Sequence, residues 1–221
     1  MTDIVLEHDG TVARFIGDAV MAFWGAPLDD DDQAYRAVAS AMAMQKAMQA
    51  MRADFIKEGL PAVHMRIGIH SGSAVVGNLG SAKRFDYTAI GDDVNLAARL
   101  EGINKLYATG IMVSSATAQK IGERAENKIA LRLIDRVIVK GKSQAVEVFT
   151  PCDDAQIVDL SEQAIRQFRH REWDAAASSL HELLAIAPED GVAKLYLERI
   201  AEFRLAPPAA TWDGAVELDK L

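Results

Sequence analysis

Residues 14–27 read RFIGDAVMAFWGAP, two runs of β-branched and aromatic residues separated only by Gly17 and Asp18. Two such runs joined by a glycine-first pair predict a tight antiparallel hairpin. We therefore expect paired strands over 11–17 and 19–24. The arrangement also decides where the one carboxylate of the run can go. Buried among Phe15, Ile16, Val20, Met21 and Phe23, Asp18 would need a cation or hydrogen bonds to offset its desolvation. At a hairpin tip it projects from the sheet instead.

The remaining segments alternate between the two periodicities. Residues 2–9 read as the end of a helix stopped by Gly10. LDDDDQAYRAVASAMAMQKAMQAMRADF carries Ala, Met and Val at helical spacing. Its acidic run, Asp29 to Asp32, reads as an N-cap and first turn that complement the helix dipole rather than as a metal site. The methionines at 42, 44, 48 and 51 fit a helix core or a dimer face. AVHMRIGIHSGSAVVGNLG reads as a strand, a turn at Ser71-Gly72 and a second short strand, with His70 satisfied by backbone and His64 at the surface. RFDYTAIGDDVNLAARLEGINKL is a strand, a Gly-Asp-Asp turn and a helix opening at Asp92 or Asp93. A strand at 111–114, a helix at 115–122 and a hairpin over 129–140 and 144–150 follow. Strands interleaved with helices, several of them joined by hairpins, predict an α+β fold with helices on a largely antiparallel sheet.

The character changes near residue 151. After a linker at 151–158, residues 159–205 are helical in pattern, with breaks at Arg171-Glu172 and Pro188. They resemble a tetratricopeptide-like helix pair with a third helix, a unit that must pack on something else to bury both faces. The tail 206–221 contains Pro207-Pro208 and is expected to be extended, with Trp173 and Trp212 anchoring this region to the first domain.

Composition narrows the function classes. A net charge of −8 in 221 residues argues against a nucleic-acid partner, which needs clustered Lys and Arg. Cys152 is the single cysteine, so no disulfide framework or cysteine-based zinc site exists and a reducing, cytoplasmic setting is expected. No apolar run approaches the ~18–20 residues that span a bilayer.

Four segments, FIGDAVMAFWG, HSGSAVVGNLGS, DYTAIGDDVNLAARLE and VKGKS, together resemble the class III adenylate/guanylate cyclase catalytic domain over about residues 1–150. The resemblance implies a ferredoxin-like sheet covered by helices, here followed by a small all-α extension like that of bacterial cyclases with an upstream sensor or membrane domain. It implies conversion of ATP to 3′,5′-cyclic AMP and pyrophosphate, with two Mg²⁺ or Mn²⁺ ions per site and homodimeric sites built from both subunits. By motif position Asp18 matches a metal ligand, Asn95 the residue that orients the ribose, and Arg99 the donor to the α-phosphate. Asn95 and Arg99 are four apart on a helix and so share a face. Lys140 matches the residue that holds the terminal phosphates, with Lys142 assisting. Thr88 and Arg14 occupy the two purine-reading positions.

Two departures accompany the match. Adenylate cyclases usually carry Lys where Arg14 stands and guanylate cyclases Glu; Arg keeps the positive donor, so ATP preference is expected to survive with relaxed discrimination. The family's first metal Asp lies on a strand well upstream of the hairpin, and the 13 residues before Arg14 cannot hold that strand and its two following helices. Asp3 and Asp9 lie in the wrong element to replace it. The expectation is thus a domain lacking its first strand and one metal carboxylate, with little or no turnover as it stands. The alternatives are a non-catalytic nucleotide-binding or dimerising regulatory module, or an interaction module built on the helical tail.

Overall fold

The computed structural model describes residues 1–81, 84–123, 129–139 and 144–218. Helix α1 (Thr2–Glu7) leads into the hairpin β1 (Thr11–Ile16) and β2 (Ala19–Phe23), then the long helix α2 (Gln33–Lys57). Strand β3 (Ile67–Ile69), the ribbon β4 (Val75–Ser81) and β5 (Arg84–Ile90), helix α3 (Asp92–Tyr107), strand β6 (Ile111–Ser114) and helix α4 (Ser115–Gly122) follow. Strands β7 (Leu131–Val139) and β8 (Val146–Pro151) precede three helices, α5 (Ala155–Arg169), α6 (Trp173–Ile186) and α7 (Gly191–Leu205), and a last strand β9 (Val216–Leu218). This is the α+β architecture the alternation predicts.

The main sheet runs in the order β3-β6-β8-β7-β9, while β1-β2 and β4-β5 form separate antiparallel ribbons. Strand β6 shows why the centre of the sheet is stable. Its alternate side chains point to opposite faces, and both faces are covered. Ile111 and Val113 pack with Ala34, Val38 and Ala41 of α2 and Ile121 of α4. Met112 joins the opposite core, with Leu96, Leu100, Ile103 and Tyr107 of α3.

That second core continues without a break into the C-terminal helices. Phe168, Leu180, Leu183, Tyr196 and Ile200 belong to the same cluster as Ile134, Val137 and Val148 of the sheet. Phe168 contacts the rings of Trp173, Tyr196, Phe203 and Trp212, with centroids 4.8–5.6 Å apart. Helix α5 begins at Ala155, ahead of the expected 159, because Asp154 accepts hydrogen bonds from the N–H groups of Gln156 and Ile157 (3.0 and 3.2 Å). The tail does more than extend: β9 adds to the sheet in parallel with β7, Val137 opposite Val216. Arg136 fastens it by donating to the Asp213 carbonyl at 3.1 Å and pairing with its carboxylate at 2.9 Å.

Two local expectations are corrected. The acids at 29–32 fall before the first turn of α2 and not within it. Asp30 accepts the backbone N–H of Asp32 (2.8 Å) and lies 3.1 Å from the Arg36 guanidinium, so it ties the loop to the helix. At the end of α1, the left-handed residue is Asp9 (φ 57°), not Gly10. Gly10 is required for space: a Cβ there would lie 2.6 Å from the Trp24 ring and 2.7 Å from Val5. Gly10→Ala is therefore expected to cost about 1–3 kcal/mol by overpacking, measured as a lowered urea midpoint at unchanged m-value. Among the described residues, no helix is long and apolar enough to cross a membrane.

Candidate active site

The β1–β2 hairpin has the predicted two-residue connection, with Ile16 opposite Ala19. Gly17 takes φ +63° in the first turn position, the glycine-first pattern of a type II′ turn, which follows the right-handed twist of the strands. Asp18 is exposed at the tip and, among the described residues, makes no hydrogen bond or ion pair. Arg14 lies opposite Met21, just after an irregularity in the pairing, and its side chain is also exposed.

Thr88, Asn95 and Arg99 belong to one continuous unit, β5–turn–α3. Thr88 sits opposite Gly77 on the β4–β5 ribbon and is only 3% exposed. Its hydroxyl oxygen is buried without a hydrogen-bond partner, and so is Nη1 of Arg99. Unpaired buried polar atoms each cost about 1–3 kcal/mol and are rare enough to need an explanation. Asn95 is exposed in the first turn of α3, one helical turn before Arg99. The two ribbons are neighbours, since β1 lies against β5 and Phe23 of β2 rests on Tyr87 of β5 with ring centroids 5.9 Å apart. No hydrogen bond or ion pair joins Asp18 or Arg14 to Thr88, Asn95 or Arg99 among the described residues. Lys140 and Lys142 lie outside the described residues.

Helix α3 is held firmly along its length. Asn104, fully buried, donates through Nδ2 to the carbonyl of Ile67 at 3.0 Å, fixing the helix to β3. A Cβ at Gly68 would overlap the α3 backbone at Ala97 and Glu101, so sheet and helix meet as closely as backbones allow. At its C-terminal end Tyr107 donates to Asp135 of β7 at 2.5 Å, and Arg199 of α7 donates to the same carboxylate oxygen at 2.5 Å and to Tyr107 Oη at 3.2 Å. Burial above all, and the adjacent Asp135 carboxylate next, push the Tyr107 hydroxyl far above its ordinary pKa against the opposing pull of Arg199. Tyr107 is therefore a fixed neutral donor. A second buried pair, Arg132 with Asp190, joins β7 to the start of α7. Burial raises the Asp190 carboxyl, but the Arg132 guanidinium outweighs it and holds it below the usual carboxylate range.

His70 departs from its expected role. Its ring is satisfied by side chains and not by backbone: Ser114 Oγ lies 2.8 Å from Nδ1, and Asp93 Oδ1 lies 3.3 Å from Nε2. These partners are 44 and 23 residues away in sequence, and no local pattern announces them. His64 is exposed, as expected, and Met44 and Met48 lie in the buried face of α2. Among the described residues, no three His, Cys, Asp or Glu side chains gather into a metal-holding group of their own.

Comparison with known proteins agrees with this fold. The family model "Adenylate and Guanylate cyclase catalytic domain" matches residues 1–150. Adenylate cyclase 1 of Rhizobium meliloti is 36% identical over 161 residues, which is 73% of this chain and 24% of that protein. The crystal structure of the adenylyl cyclase CyaB from P. aeruginosa superposes with a TM-score of 0.62 at 35% identity, covering 69% of this chain and 76% of that one. The guanylyl cyclase Cya2 superposes with a TM-score of 0.60 at 32% identity, covering 70% and 77%. The fold and the family-model match define a nucleotide cyclase catalytic domain. The chain belongs to the class III adenylate/guanylate cyclase family, and it spans about a quarter of the length of the curated relative from Rhizobium meliloti.

Proposed function

We propose that the chain is the catalytic domain of an adenylate cyclase, converting ATP to 3′,5′-cyclic AMP and pyrophosphate at a site shared between two copies. The observation that carries the reading is the pair of unpartnered buried polar atoms, Thr88 Oγ1 and Arg99 Nη1, on the single β5–α3 unit. A nucleotide explains both. The Thr88 hydroxyl, donor and acceptor at once, pairs with the edge of the purine, and Arg14 supplies a second, positive contact to the base. Asn95 orients the ribose so that its 3′-oxygen lies in line with the α-phosphorus. The new O–P bond forms as the bond to the β-phosphate breaks; pyrophosphate departs, and the hydroxyl proton passes to water. The guanidinium of Arg99 donates to the α-phosphate oxygens, where charge accumulates. Lys140 holds the terminal phosphates.

Asp18 fits a cation ligand, being an exposed, unpaired carboxylate at a hairpin tip. Mg²⁺ or Mn²⁺ takes such oxygens, one or two protein carboxylates with phosphate oxygens and water completing the shell. When bound, the ion offsets triphosphate charge and acidifies the ribose hydroxyl. Two ions per site, as in the family, belong to the same proposal.

Assembly into a homodimer is supported by apolar side chains left exposed on neighbouring strands: Phe15 and Ile16 on β1, Phe85 on β5, and Val75 and Ile90 facing each other across the β4–β5 ribbon. The single free cysteine, Cys152, suits a cytoplasmic setting, and a sensor or membrane domain elsewhere in a longer protein fits the chain's short span of its relative.

The test is cyclic nucleotide formation from ATP and from GTP with Mn²⁺, on this chain, where slight turnover is expected with Asp18 as its one metal carboxylate, and on a form extended upstream to supply the first metal Asp. Cyclic AMP is expected to dominate, and Asp18→Asn is expected to lower apparent Mn²⁺ affinity by about a hundred-fold without altering thermal stability. Cyclic GMP as the main product would overturn the substrate, and an Asp18→Asn variant with unchanged Mn²⁺ dependence would overturn the metal role.

A further inference from the structure

Helix α3 carries Asn95 and Arg99 but begins without a side-chain cap. Its N-cap residue is Gly91, which has no side chain to offer. What fixes the first turn is Asp93, and it is held from outside the helix. Its Oδ2 accepts the backbone N–H of Ser73 at 2.8 Å, and its Oδ1 lies 3.3 Å from Nε2 of His70. Both oxygens of this carboxylate are thus engaged by the β3–β4 loop. The fit is close, since a Cβ at Gly72 would overlap the Asp93 carboxylate. The negative charge also sits where the helix dipole favours it.

His70 is fixed in turn. Its side chain is 9% exposed, and Nδ1 lies 2.8 Å from the hydroxyl of Ser114, a fully buried residue that caps α4. Thr117 of α4 donates to Ser71 Oγ at 3.0 Å, binding the same loop a second time. Ser114 Oγ lies at hydrogen-bonding distance from Nδ1, and the Asp93 carboxylate lies at ion-pair distance from Nε2, an electrostatic contact across the loop. The contacts run from the β6–α4 junction through His70 to the head of α3.

We propose that His70 is a positioning residue: through Asp93 it seats the first turn of α3, and with it Asn95 and Arg99, against a loop anchored on α4. It touches no reacting atom. The catalytic part of this inference rests on the cyclase reading above, whereas the seating of α3 does not. Misplacing catalytic groups by a fraction of an ångström lowers turnover more than affinity.

The side chain offers a discriminating pair of substitutions. In His70→Gln the terminal amide reaches the position of Nε2 and keeps a polar N–H beside Asp93. In His70→Asn the amide reaches only the position of Nδ1, keeping Ser114 and losing Asp93. Amide hydrogen exchange on the full chain is read together with cyclic AMP formation. In His70→Asn, exchange over residues 93–99 is expected to rise about ten-fold, as loss of a charged contact implies, while the interior of α6 stays within about two-fold. In the form extended upstream to supply the first metal Asp, kcat is expected to fall about ten-fold or more with KM within about three-fold, and His70→Gln to recover most of both. Equal exchange in the two variants, or loosening spread evenly over the chain, would overturn the seating role. Should a form extended upstream to supply the first metal Asp make no cyclic AMP, the cyclase reading fails by itself, and exchange at 93–99 still decides the role of His70.

Discussion

Arg199→Met is expected to destabilise the protein by about 3–5 kcal/mol. Asp135 is wholly buried, and its Oδ2 receives both Tyr107 and Arg199. The guanidinium is itself enclosed, with its centre 5.5 Å from the Tyr107 ring and 5.2 Å from the Tyr196 ring. Burial works against the Arg199 charge, but Asp135 outweighs it, so its proton is held more tightly than in water. Removing it leaves a carboxylate in a dry core facing only neutral donors, among them the Tyr107 hydroxyl and the Arg136 backbone N–H. The measurement is urea unfolding at neutral pH, and the control is the double variant Arg199→Met/Asp135→Asn. Because the second change removes the stranded charge, the double variant is expected to be more stable than Arg199→Met alone. If the single and double variants lose stability equally, the pair is not electrostatically coupled.

Arg99→Ala is expected to do the reverse: stability unchanged within about 1 kcal/mol, and cyclic AMP formation, read in the form that also carries the first metal Asp, reduced about a thousand-fold. The contrast follows from the surroundings of the two arginines. Arg199 is fully engaged within the fold, whereas Nη1 of Arg99 is buried with no partner, so its removal relieves a desolvated donor. On the proposed reading, the partner of this donor arrives with the nucleotide. The loss should appear in kcat, since a donor to the α-phosphate matters most once charge has built up there. Turnover within about three-fold of wild type would remove Arg99 from the mechanism, and lowered stability would show that it serves the fold.

Much of the local structure was legible without coordinates because it is set by short-range chemistry. Ile16-Gly17-Asp18-Ala19 is a hairpin turn because glycine accepts φ +63° and the flanking runs favour strands. Strand 111–114 and helix 115–122 lie where the pattern puts them, their boundary fixed by Ser114, whose hydroxyl accepts the N–H of Thr117. Gly10 was misread for the opposite reason: its requirement is room for Trp24, 14 residues away, and no local rule contains that. Of the acids at 29–32, Asp32 is the N-cap residue of α2 as expected, whereas none falls in the first turn, because an N-cap pattern locates a helix start only to within a turn.

The site divides along the same line. The chemical identities of Asp18, Thr88, Asn95 and Arg99, and the spacing that puts the last two on one helix face, are properties of the sequence. That Thr88 and Arg99 each keep an unpaired buried atom is known only from the packing around them. The burial of Asp135 against Arg199, the continuity of the C-terminal helices with the sheet core and the addition of β9 beside β7 likewise depend on residues brought together from distant parts of the chain. The sequence by itself determined the hairpin, the helix faces and the family, because periodicity, turn chemistry and motif spacing act over a few bonds. Tertiary structure alone decided which polar groups are satisfied and which are left waiting, because desolvation depends on everything that surrounds an atom.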